Sequence, residues 1–336
     1  MAEAPKLTFC CELPEGELGA LFAAPGVIED LQAMGAGVSL GLLDLSEGRA
    51  GVVRRLHQAG VPVIGWLLLP KEQGYWFNIN NVAQAAARYE AFRAWTAAND
   101  LAWAGVALDV EPDVEEMAAL MKEPARLLPT LLQRVFAGDE RILHAEAAYD
   151  ALVARIRQDG HRITSYQFPF VLDERRAGST LLRRLAGLVD LSVDQEVLMI
   201  YTSFLRAFGP PLLDSYAREA QTVAVGSTGG GVQLEGAPEI EPLAWDELAR
   251  DLRLAWRWRR DIHVFSLEGC VQQGFLGRLK DFQWDAPVAV PEGAEEAETF
   301  RRVLRAGLWA SKHPLWVIAG LAGLLWALSR LRRLRR

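Results

Sequence analysis

Cysteine and histidine are scarce in this chain, and their scarcity closes off several chemistries. The three cysteines, Cys10, Cys11 and Cys270, are too few for a disulfide framework, and no CxxC or Cys/His spacing suggests zinc. Cys10 and Cys11 are neighbours in a strand-like stretch and read as buried apolar residues. The five histidines bring no metal-ligand spacing: His57 and His144 fall in helices, His161 precedes a strand, His263 starts one, and His313 flanks an apolar run. Positive charge is short as well. The formal net charge is -7, and five arginines are packed into residues 330–336, so the body is more acidic still. Phosphate binding needs a basic footprint, which argues against nucleic acid as a partner. A basic region followed by an apolar leader is also missing at the N-terminus, so no signal peptide is expected. No cofactor is implied.

What is present is a regular alternation of strand-like and helix-like segments, the pattern of βα repeats and a parallel sheet. Strands are expected at residues 7–13, 38–43, 61–69, 103–113, 162–171, 197–202, 222–227 and 262–267. Helices are expected between them, among them 25–34, 49–59, 81–99, 113–137, 144–158, 212–220 and 245–259. Eight strands with intervening helices in about 280 residues is the arithmetic of a (β/α)8 TIM barrel. The barrel domain is assigned to residues 1–285. Residues 286–302 shift to Pro, Gly, Ala and Glu and read as an acidic linker. Residues 303–336 form a third unit with a basic tail. Residues 314–328 carry no charge, and with His313 and Ser329 the run is about 25 Å long as a helix, near the lower limit for a membrane span. Trp309, Trp316 and Trp326 sit toward its ends, as interface anchors do. The expectation is therefore a single-pass C-terminal transmembrane helix with the membrane as a partner. Arginines at its end favour a cytoplasmic C-terminus, but Arg301, Arg302, Arg305 and Lys312 make the other flank basic too, so the side on which the barrel lies stays open.

The run Trp103-Ala104-Gly105-Val106-Ala107-Leu108-Asp109-Val110-Glu111-Pro112-Asp113 is the most informative stretch. Alternate side chains of a strand share a face, so Asp109 and Glu111 point the same way. An apolar strand that ends in paired acids has reached the mouth of a parallel barrel, where such folds do their chemistry. Other polar residues near strand ends could line the same mouth: Glu12, Asp44, Gln167 and Glu268. Trp66, Tyr75 and Trp76 could stack on sugar rings, with Trp76 the better placed because it falls in a loop. Gly229-Gly230-Gly231 follows a strand, but no Lys or helix-opening motif comes after it, so a plain loop is favoured over a phosphate cradle.

The segment Gly105-Val106-Ala107-Leu108-Asp109-Val110-Glu111 resembles the fourth-strand signature D-G-x-D-x-D-x-E of the family 18 glycoside hydrolases, the chitinase-type barrels. Met199-Ile200-Tyr201-Thr202 is similar to that family's sixth-strand M-x-Y-[DN]. Ala104, Ala107 and Thr202 stand where the family has further acids or an amide. The resemblance implies Glu111 as general acid/base, Asp109 as the residue that orients the substrate acetamide, and Tyr201 as its hydrogen-bond partner. It further implies N-acetylated glycans, chitin- or peptidoglycan-like, as substrate, with Glu12, Trp76, Gln167 and Glu268 as substrate contacts. An Asp-x-Glu strand end is also found in family 25 lysozyme-like hydrolases. Two other readings remain: a sugar-binding barrel without catalysis, motivated by Ala107 and Thr202, and a metal-dependent hydrolase or phosphodiesterase using Asp109, Glu111 and Asp113.

Overall fold

The computed structural model describes residues 5–232 and 240–313, with the backbone alone at 120, 121 and 124–126. Eight strands, all parallel, close into one barrel in chain order: β1 (Lys6–Cys11), β2 (Gly37–Leu42), β3 (Val63–Leu67), β4 (Gly105–Asp109), β5 (Ile163–Gln167), β6 (Gln195–Met199), β7 (Thr222–Gly226) and β8 (Asp261–Phe265). The last strand returns to the first, with Lys6 opposite Asp261 and Cys10 opposite Phe265. The TIM-barrel expectation is met. Two strands stop earlier than their apolar runs suggest. β5 ends at Gln167, two residues before Pro169, which has no N–H for a ladder. β6 ends at Met199 because Thr202–Leu205 turns into a short helix.

Strand parity divides the core in two. Outward-facing residues such as Phe9, Val38, Leu40, Val106, Leu108, Leu198 and Val264 pack against the surrounding helices. Inward-facing Cys10, Trp66, Ala107, Tyr166, Val197, Met199 and Ala224 fill the barrel itself. A polar knot lies within this filling. The Tyr166 hydroxyl donates to Ser39 Oγ at 2.7 Å, lies 3.1 Å from His263 Nδ1 and accepts from the Cys10 thiol at 3.6 Å. Burial, with Lys6 adding to it, pushes the His263 pKa down to about 3, so the ring is neutral.

The single-pass membrane anchor expected from residues 303–336 does not stand: among the described residues no helix is long and apolar enough to cross a membrane. Residues 303–312 belong to the amphipathic helix Ala294–Lys312, whose first half is the expected linker segment 294–302. This helix packs on the outer helices Val171–Ala177 and Gly209–Ala217. Arg301, counted in sequence as part of a basic flank, is fully buried beneath it. Its guanidinium grips both oxygens of Asp173 at 3.1 and 3.0 Å, Ser215 Oγ at 2.8 Å and Glu219 at 2.9 Å, and lies 3.9 Å from the centre of the Tyr216 ring. The uncharged run 314–328 lies outside the described residues.

Candidate active site

The C-terminal ends of the strands bring together residues from four parts of the chain. Asp109 is the last residue of β4 and is 2% exposed, with Oδ1 lacking any hydrogen-bond partner. Glu111 follows two residues later and keeps part of its surface open. The backbone around them is tied on both sides. Val110 N–H donates to the Tyr166 carbonyl of β5 at 3.1 Å, and Phe77 N–H donates to the Asp109 carbonyl at 2.8 Å. Phe77 thus runs as a short parallel extension beside Val110, and the loop after β3 becomes a wall of the mouth.

That wall carries Tyr75 and Trp76. Tyr75 has φ 63°, a left-handed backbone that costs a non-glycine residue of order 1–3 kcal/mol and must be held by its surroundings. The holding groups are visible. Leu69 N–H donates to the Tyr75 carbonyl at 2.8 Å, and the Asn81 amide donates to the carbonyls of Trp76 at 2.8 Å and Gln73 at 3.0 Å. So placed, the Tyr75 hydroxyl donates to the Glu12 carboxylate at the end of β1. The sequence raises Tyr75 only as a sugar platform; the Asn78/Asn80/Asn81 cluster was the signal of a structured loop. Trp76 packs edge-on against Tyr75 and is itself buried, so it is not the free platform expected of a loop residue.

Glu12 is 7% exposed and Glu268, in the first turn of the helix Leu267–Gln272, is 8% exposed. They are neighbours: the Glu12 N–H donates to Glu268 Oε1 at 3.2 Å. The glycines 229–231 fold over them with φ of +117°, +79° and +85°. A Cβ on Gly230 would overlap the Glu268 carboxylate, and one on Gly231 would stand 2.7 Å from the Phe265 ring. Close approach to carboxylates explains this loop; it is not a phosphate cradle.

Tyr201 follows β6, and its ring stacks on Phe265 at 5.4 Å. Thr202, one residue on, faces away: its hydroxyl donates to Asp251 of the helix Trp245–Trp258. Two further expected residues leave the mouth. Gln167 follows inward-facing Tyr166, so parity turns it outward, and its amide reaches the Val189 carbonyl at 3.5 Å. Asp44 is occupied by buried Arg49 at 3.1 and 2.8 Å; partial burial would raise its pKa, but these bonds outweigh it and hold the group at about 2.

Electrostatics distinguish the acid pair from ordinary surface carboxylates. Burial, then the charges of Glu111 and Glu12, hold the Asp109 carboxyl well above its usual range, with the Trp66 indole opposing weakly. Burial, then Glu12, pushes Glu111 up to about 8 against the stabilising contact from Asp109. Two like charges on alternate residues of one buried strand end are disfavoured, so the pair retains a proton at neutral pH. Glu12 is pushed up to about 7 by burial, offset in part by Tyr75, and burial raises Glu268 as well. Such a site can give a proton to a leaving oxygen while a second carboxylate stabilises developing positive charge.

The metal reading needs Asp113 beside this pair. Instead its Oδ1 caps the helix Val114–Lys122, accepting from the N–H groups of Glu115 at 2.9 Å and Glu116 at 3.4 Å. Among the described residues no group of three His, Cys, Asp or Glu side chains is arranged to hold a metal ion.

No family model matches the chain, and no curated protein matches it in sequence. Similar solved structures include a GH18 chitinase from Pseudoalteromonas aurantia, 11% identical, with a TM-score of 0.47 over 83% of this chain and 100% of that one. A D-allulose 3-epimerase from Methylomonas sp. is 10% identical, with a TM-score of 0.43 over 90% and 99%. A family 2 AP endonuclease from Brucella melitensis is 10% identical, with a TM-score of 0.41 over 80% and 98%. Likeness at this level spans three chemistries and favours none of them.

Proposed function

We propose that the barrel is a glycoside hydrolase acting on N-acetylated glycans, with Glu111 as general acid and base. The observation that carries this reading is the acid pair itself: two carboxyls on one face of the β4 end, buried together so that one proton stays on them at neutral pH. A general acid must be protonated at the pH where it works, and burial beside a second carboxylate achieves that.

The steps follow from the residue types. Glu111 protonates the glycosidic oxygen as the bond to C1 breaks, and the acetamide carbonyl oxygen of the same sugar closes on C1. Asp109 holds the acetamide N–H and balances the positive charge that develops on the ring so formed. Tyr201, stacked on Phe265, offers its hydroxyl to the acetamide oxygen. Water then opens the ring, giving its proton back to Glu111. Phe265 and Trp66, 6.4 Å apart and edge-to-face, provide the apolar floor against which a sugar ring can rest.

Hydrolysis of N-acetylglucosamine oligomers by the wild-type protein and by Glu111→Gln tests the reading. Loss of at least about 10²-fold in kcat with the fold retained is expected for removal of a general acid. Equal turnover by the variant would overturn the assignment. A sugar-binding barrel without catalysis is the second reading, favoured by Thr202, whose hydroxyl is committed to Asp251 rather than to the mouth. Binding of the oligomers by a wild-type protein that never cleaves them would select it.

A further inference from the structure

Ala107, two residues deeper than Asp109 on the same face of β4, carries no charge. Any negative charge other than that of Asp109 that acts on Glu111 must therefore come from another strand. β1 supplies it. Glu12 is clamped on several sides: the Tyr75 hydroxyl donates to it, the Val232 backbone N–H supports it, and its own N–H is fixed on Glu268. Gly231 lies close over it, such that a Cβ there would stand 3.4 Å from Glu12 Oε2. A carboxylate held this way cannot swing out to solvent to shed its influence.

Tyr75 stands among the three carboxylates, for Glu12, Asp109 and Glu111 all act on its hydroxyl. The titratable groups facing Glu111 are Asp109 from its own strand end, Glu12 from β1, Tyr75 from the loop after β3 and Tyr201 from the end of β6. Around Glu12 stand Glu268, Tyr75 and Lys71, with the buried thiols Cys10 and Cys11 beside it in β1. Both tyrosines and both thiols stay neutral through the neutral range, so only carboxylates can change charge there. A like charge a few ångströms away in a partly desolvated site moves a carboxyl titration by about one to three pH units.

We infer that Glu12 is a positioning residue for the catalytic proton: its charge, delivered across the mouth from β1, keeps that proton on Glu111 at neutral pH. The inference rests on reading Glu111 as the general acid. An ionised Glu12 penalises a second charge on β4, and the Tyr75 bond keeps Glu12 the first of the two to ionise.

The test reads protonation separately from turnover. Carboxyl titrations of the 13C-labelled protein, with the Glu111 signal assigned by its loss in Glu111→Gln, are compared between wild type and Glu12→Gln. The Glu111 midpoint is expected to fall by about one pH unit or more, and the alkaline limb of kcat/KM on N-acetylglucosamine oligomers should move down with it. Tyr75→Phe, which keeps Glu12 but removes its donor, should move both in the same direction by less. A Glu111 midpoint unmoved in folded Glu12→Gln overturns the inference; should that variant fail to fold, an unmoved midpoint in Tyr75→Phe does so. A midpoint that shifts in a protein unable to cleave the oligomers overturns the glycosidase reading alone. Cleavage with an unmoved midpoint overturns the role of Glu12 alone.

Discussion

At neutral pH the proton kept by Asp109 and Glu111 weighs on the stability of the fold. In an unfolded chain Glu111 ionises near 4.5, whereas in the barrel burial and Glu12 delay this to about 8. A carboxyl with a raised folded pKa contributes stability that is complete below its unfolded pKa and is lost as pH rises through the folded one. Glu111→Gln cannot ionise. It should melt close to wild type at about pH 4 and progressively higher than wild type toward about pH 8. Thermal unfolding across that window checks this, and a pH-independent difference would contradict it. Placing Asp109 and Glu111 together needed only the two-residue period of a strand, and that was visible in residues 105–111. The Glu12–Tyr75 contact was not visible, because its partners lie 63 residues apart and depend on a left-handed turn at Tyr75. Gln167 shows how sharp the period is: one residue beyond inward-facing Tyr166, it serves the helix layer instead of the mouth.

Between the strands, two short elements shape the mouth: the loop that carries Tyr75 and the glycines 229–231. The glycine loop depends on having no side chains, since a Cβ on Gly230 meets the Glu268 carboxylate and its φ of +79° disfavours any L residue. Gly230→Ala is expected to cost of order 1–3 kcal/mol, read as a lower urea midpoint. It should also disturb the Glu12–Glu268 pair and lower turnover. Three consecutive glycines marked a loop in the sequence. Their purpose was hidden because the carboxylates they cover come from residues 12 and 268, at opposite ends of the barrel. Helix Ala294–Lys312 was obscured for a different reason. Its early Glu and Ala residues look like a linker by composition, and its arginines look like a membrane flank, until packing shows that Arg301 faces inward.

For the whole molecule, that buried arginine joins the C-terminal helix to the barrel's outer layer. Asp173 is itself fully buried, so Arg301→Ala would strand a charge, and breaking such a pair typically costs ~3–5 kcal/mol. Chemical denaturation should show that loss. Arg301→Lys should recover only part of it, because one ammonium cannot serve Asp173, Ser215 and Glu219 together. The βα order and the closed barrel were legible because each strand is a short apolar run set off by helix and turn signals. Which outer helix receives the final one was not, since it depends on contacts 128 residues apart. The seam between β1 and β8 has a bearing on time as well as on shape. Glu12 and Glu268 meet across a separation of 256 residues, so a chain emerging from the ribosome makes its acid pair early and completes the surroundings of that pair nearly last. Nascent and truncated chains therefore carry the carboxylates of a hydrolase without the closure that arms them, and activity arrives only when the final strand docks.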